Sequence, residues 1–260
     1  MVDPMLVGQE LSASRRTGDT VAISGDYQYR AITCGRAPQR FWHEFKLREA
    51  ARWINPRPGN LIPDVGCGSG VFADRLAAIE GVRIIGIDGN EAAISFAKGQ
   101  YKRPNLEFHR GLVDELEFEA CTIDRIAFLE VIEHIHVHQG LKVLQSFHRL
   151  LKPGGRVVVS TPNYRSLWPI IEWLTDRLRL TPNMGEDQHV AFYNCRSLAE
   201  LGKQAGFRIS ASRTINLAAP WFSVLGRTVT ERVHRWETAF SQPLGSVIVM
   251  AFEKPAGSDQ

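Results

Sequence analysis

The chain has 260 residues, a mass of 29.2 kDa, 44% hydrophobic residues and a formal net charge of +3 with a pI near 8.7. Such a length and apolar content suffice for one large core with an elaboration, and so mild a charge excludes the concentrated basic field of an obligate nucleic-acid binder. Cys34, Cys67, Cys121 and Cys195 have neither C-x-x-C spacing nor the density of a disulfide framework, which argues against a structural zinc or a disulfide scaffold and fits a reducing, cytoplasmic compartment.

Residues 1–37 are polar, with Arg15-Arg16 and few periodic apolar positions, and are expected to form a loosely ordered extension. The first 20 residues lack the apolar core of a signal peptide, and no run approaches the length of a transmembrane helix. Gln39 to Ile54 reads as an amphipathic helix whose Phe41, Trp42, Phe45 and Trp53 suit a core or a lid over a ligand. From Leu61 the pattern alternates, with strands near 61–65, 82–88, 106–110, 123–129 and 156–160 and helices near 71–79, 90–98 and 138–151. That alternation implies a parallel sheet in an α/β fold. After Ser160 the regularity breaks until about 190, and Leu167, Trp168, Ile171, Leu174 and Leu178 suit either an amphipathic helix packed on the sheet or a cap. A helix over Leu198–Ala205, a strand over Phe207–Ile215 and a last strand over Ser246–Glu253 follow. Between the last two strands, Trp221, Phe222, Leu225, Val229, Val233, Trp236 and Phe240 recur every three or four residues, which predicts a helix with one buried face.

The densest chemical signal is Asp64-Val65-Gly66-Cys67-Gly68-Ser69-Gly70, placed where the first strand turns into a helix. Glycines at 66, 68 and 70 let a ligand approach the backbone and permit turn conformations closed to other residues. Asp88 ends the second apolar run 18 residues beyond Gly70, where its carboxylate can accept hydrogen bonds from both hydroxyls of a ribose. A dinucleotide-binding turn would read G-x-G-x-x-G; here the third glycine comes one residue earlier.

This motif resembles that of the class I S-adenosylmethionine-dependent methyltransferases. Gly86-Ile87-Asp88, Ile123 to Glu130 and Leu151 to Val159 match the second, fourth and fifth strands in family order, and the resemblance covers about residues 38–254. It implies a Rossmann-like, seven-stranded, mostly parallel sheet with helices on both faces and an antiparallel last strand. The methyltransferase domain would run over 38–260, with a cap insertion at about 164–190. It implies S-adenosyl-L-methionine as cofactor, held by Asp64, Gly66, Cys67, Gly68, Gly70, Asp88, Gly89, Leu112, Val113 and Glu130. Leu112 stands where many members present an aspartate to the adenine, so backbone groups and apolar packing are expected to hold it. Asp114-Glu115 resembles the family's acidic turn. Pro63 is a second departure, since it removes a ladder donor from a central strand.

Glu130, Glu133 and His134 follow the fourth strand. At about 100° per residue they project to one side of a helix and Val131, Ile132 and Ile135 to the other. Two carboxylates and an imidazole can hold Mg²⁺, Mn²⁺ or Zn²⁺. The alternatives are an acidic first helical turn favoured by the dipole, or a catalytic pair in which His134 acts as general base beside Glu133. The Glu-x-x-Glu-His pattern is similar to that of ubiquinone-biosynthesis O-methyltransferases and of small-RNA 2′-O-methyltransferases, as are the following Thr-Pro-Asn and a downstream His189 before Phe192. The resemblance adds His189 to the metal set Glu130, Glu133 and His134. His136 and His138 fall on the surface, and His43, His109, His148 and His234 have no motif context. Asn163 and Tyr164 can face an acceptor; their tetrapeptide is loosely similar to the N-P-P-Y of amino-group methyltransferases but follows the wrong strand.

The combined expectation is O-methylation of a small or lipid-like hydroxylated acceptor, with 165–181 either packed on the sheet, capping the acceptor or making a peripheral membrane contact. The alternatives are RNA 2′-O-methylation and a non-catalytic module that only binds S-adenosylmethionine. Oligomeric state is left open.

Overall fold

A computed structural model describes residues 24–113, 118–170, 177, 189–240 and 243–256. Its elements are α1 (Tyr27–Thr33), α2 (Ala37–Ile54), β1 (Leu61–Val65), α3 (Val71–Ala77), β2 (Arg83–Asp88), α4 (Glu91–Gln100), β3 (Leu106–Arg110) and β4 (Ile123–Leu129). A 3-10 turn, Ile132–His134, precedes α5 (Val137–Leu150) and β5 (Leu151–Pro162). Beyond the cap region come α6 (Cys195–Gln204), β6 (Arg208–Ile215), a 3-10 segment (Ala219–Leu225), α7 (Arg227–Ala239) and β7 (Val247–Glu253).

The strands form one sheet in the order β3-β2-β1-β4-β5-β7-β6, parallel except for β7, which runs antiparallel to both neighbours. This is the Rossmann-like arrangement expected. The chain moves outward from β1 to β3 and then returns to lay β4 on the other side of β1. The carboxyl ends of β1 and β4 therefore flank a crevice, the place where α/β sheets bind ligands. The apolar strands bury both faces in separate cores. Phe72, Leu76, Ile94 and Ala97 of α3 and α4 pack on one face, and Val143, Leu144, Phe147 and Leu198 of α5 and α6 on the other.

Pro63 lies in β1 with β2 on one side and β4 on the other, and the ladder to β4 narrows to the pair Asp64↔Ala127. At the start of the strand the Leu61 N–H donates to the Asp124 carboxylate at 2.9 Å. Two expectations change. Within the supposedly loose start, α1 is helical and packs beside α4: Tyr29 meets Phe96 with centroids 5.3 Å apart. The single helix expected from 221 to 240 is broken at Gly226 (φ 96°), and its aromatic edge faces outward, while Thr230, His234 and Glu237 turn inward. Residues 1–23, the Asp114-Glu115 turn and most of the expected 165–181 cap lie outside the described residues. No helix among the described residues is long and apolar enough to cross a membrane.

Candidate functional site

On one side of the crevice, the chain leaves β1 through Gly66, Cys67 and Gly68 and enters α3 at Gly70. The N–H groups of Gly66 and Cys67 both donate to the Ile87 carbonyl, at 2.7 and 3.0 Å, folding the loop over the end of β2. Gly66 and Gly70 have φ of 75° and 78°. A Cβ at Gly66 would run into the Val131 side chain, and one at Gly70 would lie 2.7 Å from the Phe108 ring, so left-handed geometry and close approach both demand glycine. Asp88 gathers this loop: one carboxylate oxygen accepts from the Gly68 N–H and the other from the Asn90 N–H, each at 2.8 Å. Both oxygens keep lone-pair capacity for ribose hydroxyls. Clamping the loop to the start of α4 is a second role for Asp88 that the sequence did not announce.

Asp64 is buried beneath the loop. Burial first, then the charge of Asp88, pushes its carboxyl up to about 7 against a backbone hydrogen bond from Ala73, and its Oδ2 has no partner within the protein. The same burial pushes the Cys67 thiol well up. The Gly111 N–H donates to the Asp88 carbonyl at 3.2 Å, bringing half-buried Leu112 and Val113 beside half-buried Gly89. From above, α1 lowers Gln28 onto the loop: its Oε1, buried and without a protein partner, stands 3.8 Å from where a Gly68 Cβ would be.

Across the switch point, β4 ends at Leu129 and Glu130 takes a left-handed conformation (φ 56°). Its carboxylate is held between Ser160 Oγ at 2.7 Å and Lys46 Nζ at 3.3 Å. Lys46 comes from α2 and is 2% exposed. The next residues form a 3-10 turn rather than the first turn of an α-helix, so Glu130 does not share the face of Glu133 and His134 as helical spacing implied. Glu133 is 1% exposed; burial, then the charge of Glu130, holds its carboxyl well above the ordinary range, and its Oε2 has no protein partner. Its main-chain carbonyl accepts from the N–H groups of Val190 and Ala191 at 2.9 and 3.1 Å, which brings in the downstream histidine. His189 Nδ1 lies 2.7 Å from the Tyr164 hydroxyl, and its ring centroid is 4.9 Å from that of His134.

One oxygen of Glu133 and one ring nitrogen each of His134 and His189 lie within 4.8 Å of one another. Three nitrogen and oxygen donors this close suit a divalent cation or an acid/base pair. The sequence-based metal set thus loses Glu130, which is committed to Lys46 and Ser160. The Thr161 hydroxyl, buried against the Glu133 carboxyl, and the Tyr193 hydroxyl, buried without a protein partner, line the same region, and burial followed by Glu133 pushes Tyr193 up to about 12.

Asn163 does not face an acceptor. Its Nδ2 donates to the Pro243 and Gly245 carbonyls at 2.8 Å each and its Oδ1 accepts from the Arg165 N–H. Tyr164 does stay in the site, with its ring edge-on to Phe192 at 4.7 Å. His136 and His138 are exposed. Lys46 and Gln28 are the residues that sequence reading missed. A lysine inside an amphipathic pattern normally reads as solvated, and a polar glutamine outside the motif region carries no signal.

A family profile described as a methyltransferase domain matches residues 35–212. The chain is 30% identical over 182 residues to a protein of Mycolicibacterium smegmatis named a probable S-adenosylmethionine-dependent methyltransferase, covering 67% of this chain and 62% of that protein. It is 32% identical over 170 residues to a ubiquinone biosynthesis O-methyltransferase of Acinetobacter baylyi, covering 60% of this chain and 68% of the relative. Among solved structures, a chain from the complex between the Haloferax volcanii Trm112 methyltransferase activator and a methyltransferase shares the fold with a TM-score of 0.62 at 17% identity. That match covers 90% of this chain and all of the other. With the glycine loop, Asp88 and the switch-point crevice in place, the chain belongs to the S-adenosylmethionine-dependent methyltransferase family.

Proposed function

We propose that this protein transfers a methyl group from S-adenosylmethionine to a hydroxyl of a small or lipid-like acceptor. The observation that carries the reading is the Glu133, His134 and His189 cluster, whose donor atoms lie within 4.8 Å of one another across the switch point from the glycine loop. The relative named a ubiquinone biosynthesis O-methyltransferase supports a hydroxylated small molecule as acceptor. The mild net charge of +3 favours this over an RNA acceptor.

Gly66, Gly68 and Gly70 admit the cofactor to the backbone, Asp88 holds the ribose, and the unpartnered Asp64 Oδ2 offers an acceptor to a cationic group. When bound, S-adenosylmethionine supplies a methyl carbon on a positively charged sulfur. His134 takes the proton of the acceptor hydroxyl as the new C–O bond forms and the C–S bond breaks, leaving methylated acceptor and S-adenosylhomocysteine. Glu133 and His189 orient that imidazole, and Tyr164 fixes the His189 ring through their 2.7 Å contact. The unpartnered Glu133 oxygen and the two imidazoles fit a divalent cation, which would lower the acceptor's pKa.

Labelled-methyl transfer to catechol-type acceptors tests the reading. Exhaustive chelation is expected to suppress turnover and leave S-adenosylhomocysteine affinity nearly unchanged. Survival of activity after chelation together with loss in His134→Ala removes the metal and keeps the general base. Full activity in both Glu133→Ala and His134→Ala overturns the site. Label found only in RNA makes the acceptor a nucleic acid, and cofactor binding with no transfer to any extract makes the protein a binding module.

A further inference from the structure

The connections after β5 and β6 leave the sheet at the same end: Pro162 and Ile215 both pair with Val247, where β7 begins. The described residues 163–170, 189–192 and 216–240 of these connections therefore lie toward the rim that carries Glu133, His134 and His189. Along the second connection, Trp221, Phe222, Val224, Leu225, Trp236 and Phe240 are all exposed, the last four by 61% or more. Leu167, Ile170 and Phe192 on the first connection are exposed too. An apolar surface this extended on one edge marks an interaction site.

The outward turn of the aromatics is built in. The inward side of α7 is polar and firmly held. Glu237 Oε2 accepts from the Ala218 and Ala219 N–H groups at 2.9 and 3.1 Å, the His234 ring stacks on Phe45 at 3.8 Å, and Glu231 pairs with Arg48 of α2 at 3.0 Å. These anchors fix the rotation of the helix and leave its apolar edge outside. The remaining charge is of one sign. Arg232 stands one turn before Trp236, Trp236 one turn before Phe240, and Arg227 and Arg235 are also exposed. The two acids of α7 are Glu231, engaged by Arg48, and buried Glu237.

Aromatic and aliphatic side chains interleaved with cations suit the boundary of an anionic bilayer, where rings enter the acyl edge and guanidinium groups meet phosphates. A second copy of the chain would instead bring like charges together. We propose that the 219–240 segment docks the protein on an anionic membrane surface, with the rim of the site turned toward the lipid. This goes beyond the proposed reaction and holds whichever acceptor is methylated.

The test is co-sedimentation of the full chain with vesicles of phosphatidylcholine alone or mixed with phosphatidylglycerol. Binding is expected to the mixed vesicles and to weaken as salt rises. Arg232→Gln and Arg235→Gln should each weaken it about fivefold, and Leu225→Ser combined with Trp236→Ser more than tenfold. All four positions are exposed, so circular dichroism and S-adenosylhomocysteine affinity should be unchanged. Equal binding to both vesicle types, or parental binding by the Leu225/Trp236 variant, overturns the proposal. So does a solution dimer that this variant dissociates, which would assign the surface to a second copy.

Discussion

Between Gly66 and Asn90 the crevice is built of backbone N–H groups gathered by one carboxylate, whereas across the switch point it is built of side chains drawn from α2, the 130–134 turn, β5 and residues 189–193. The first wall depends on φ angles and close approach, properties that a short stretch of sequence decides by itself. The second depends on charges brought together over long separations. Lys46 and Glu130 are 84 positions apart, and Tyr164 meets His189 across 25. A generic ligand suits the first wall, and an individual acceptor the second.

The largest expected effect tests whether the backbone wall also carries a charge. Burial, then Asp88, raises the Asp64 carboxyl from 3.8 to about 7. The folded protein therefore keeps a proton that the unfolded chain gives up, so this group's contribution to stability is full below about pH 4 and is lost as pH rises to about 7, by about 4 kcal/mol. His43 works in the opposite direction: burial, then Lys46, lowers it to about 3, so its contribution is lost as pH falls below the usual histidine range. Comparing the parent with D64N cancels His43. Urea unfolding at pH 5 and pH 8 without cofactor should show the parent losing stability relative to D64N; parallel behaviour would show that Asp64 carries no such burden.

Next is Lys46→Met, aimed at the side-chain wall. It leaves Glu130 beside buried Glu133 without its cation, and should destabilise by about 3 kcal/mol, the low end for a broken buried pair because Glu130 is a quarter exposed. Adding Glu130→Gln should recover most of the loss in a double-mutant cycle. Independent, additive losses would mean that the two residues do not act as a pair.

Asp88→Ala tests the first wall through its ligand. It removes the carboxylate proposed to hold the ribose and releases the Gly68 and Asn90 N–H groups, so S-adenosylhomocysteine should bind roughly tenfold or more weakly, about 1.5–3 kcal/mol. Calorimetry giving parental affinity, or tighter binding of NAD than of S-adenosylmethionine, would break the assignment.

The contrast between the walls is also a contrast in legibility. The alternation of strands and helices, the glycine loop and the strand-end position of Asp88 could be read in the sequence because strand-turn-helix punctuation is local. Glu130 was misplaced because helical spacing was extended one residue too far: a left-handed residue ends β4, and the turn that follows is 3-10. Asn163 looked available because nothing near it in sequence announces the 243–245 carbonyls. The 221–240 aromatics obey helical spacing, yet face outward because Glu237, His234 and Glu231 are tied to Ala218, Phe45 and Arg48, contacts that a hydrophobicity pattern does not record.

The smallest effect is the most discriminating. Tyr164→Phe deletes one hydroxyl whose contact is His189 Nδ1 at 2.7 Å and leaves the ring against Phe192. A single hydrogen bond of this kind contributes about 1 kcal/mol, so divalent-cation affinity and methyl transfer should each fall about fivefold. S-adenosylhomocysteine affinity should not move, because neither Tyr164 nor His189 belongs to the glycine loop or its Asp88 clamp. His189→Ala should take both losses further, since it removes a donor rather than the bond that orients one. If Tyr164→Phe weakened cofactor binding as much as transfer, the two walls would act as one site and their separation would fail. An unchanged cation affinity with reduced transfer would instead leave His189 as a positioning residue for His134.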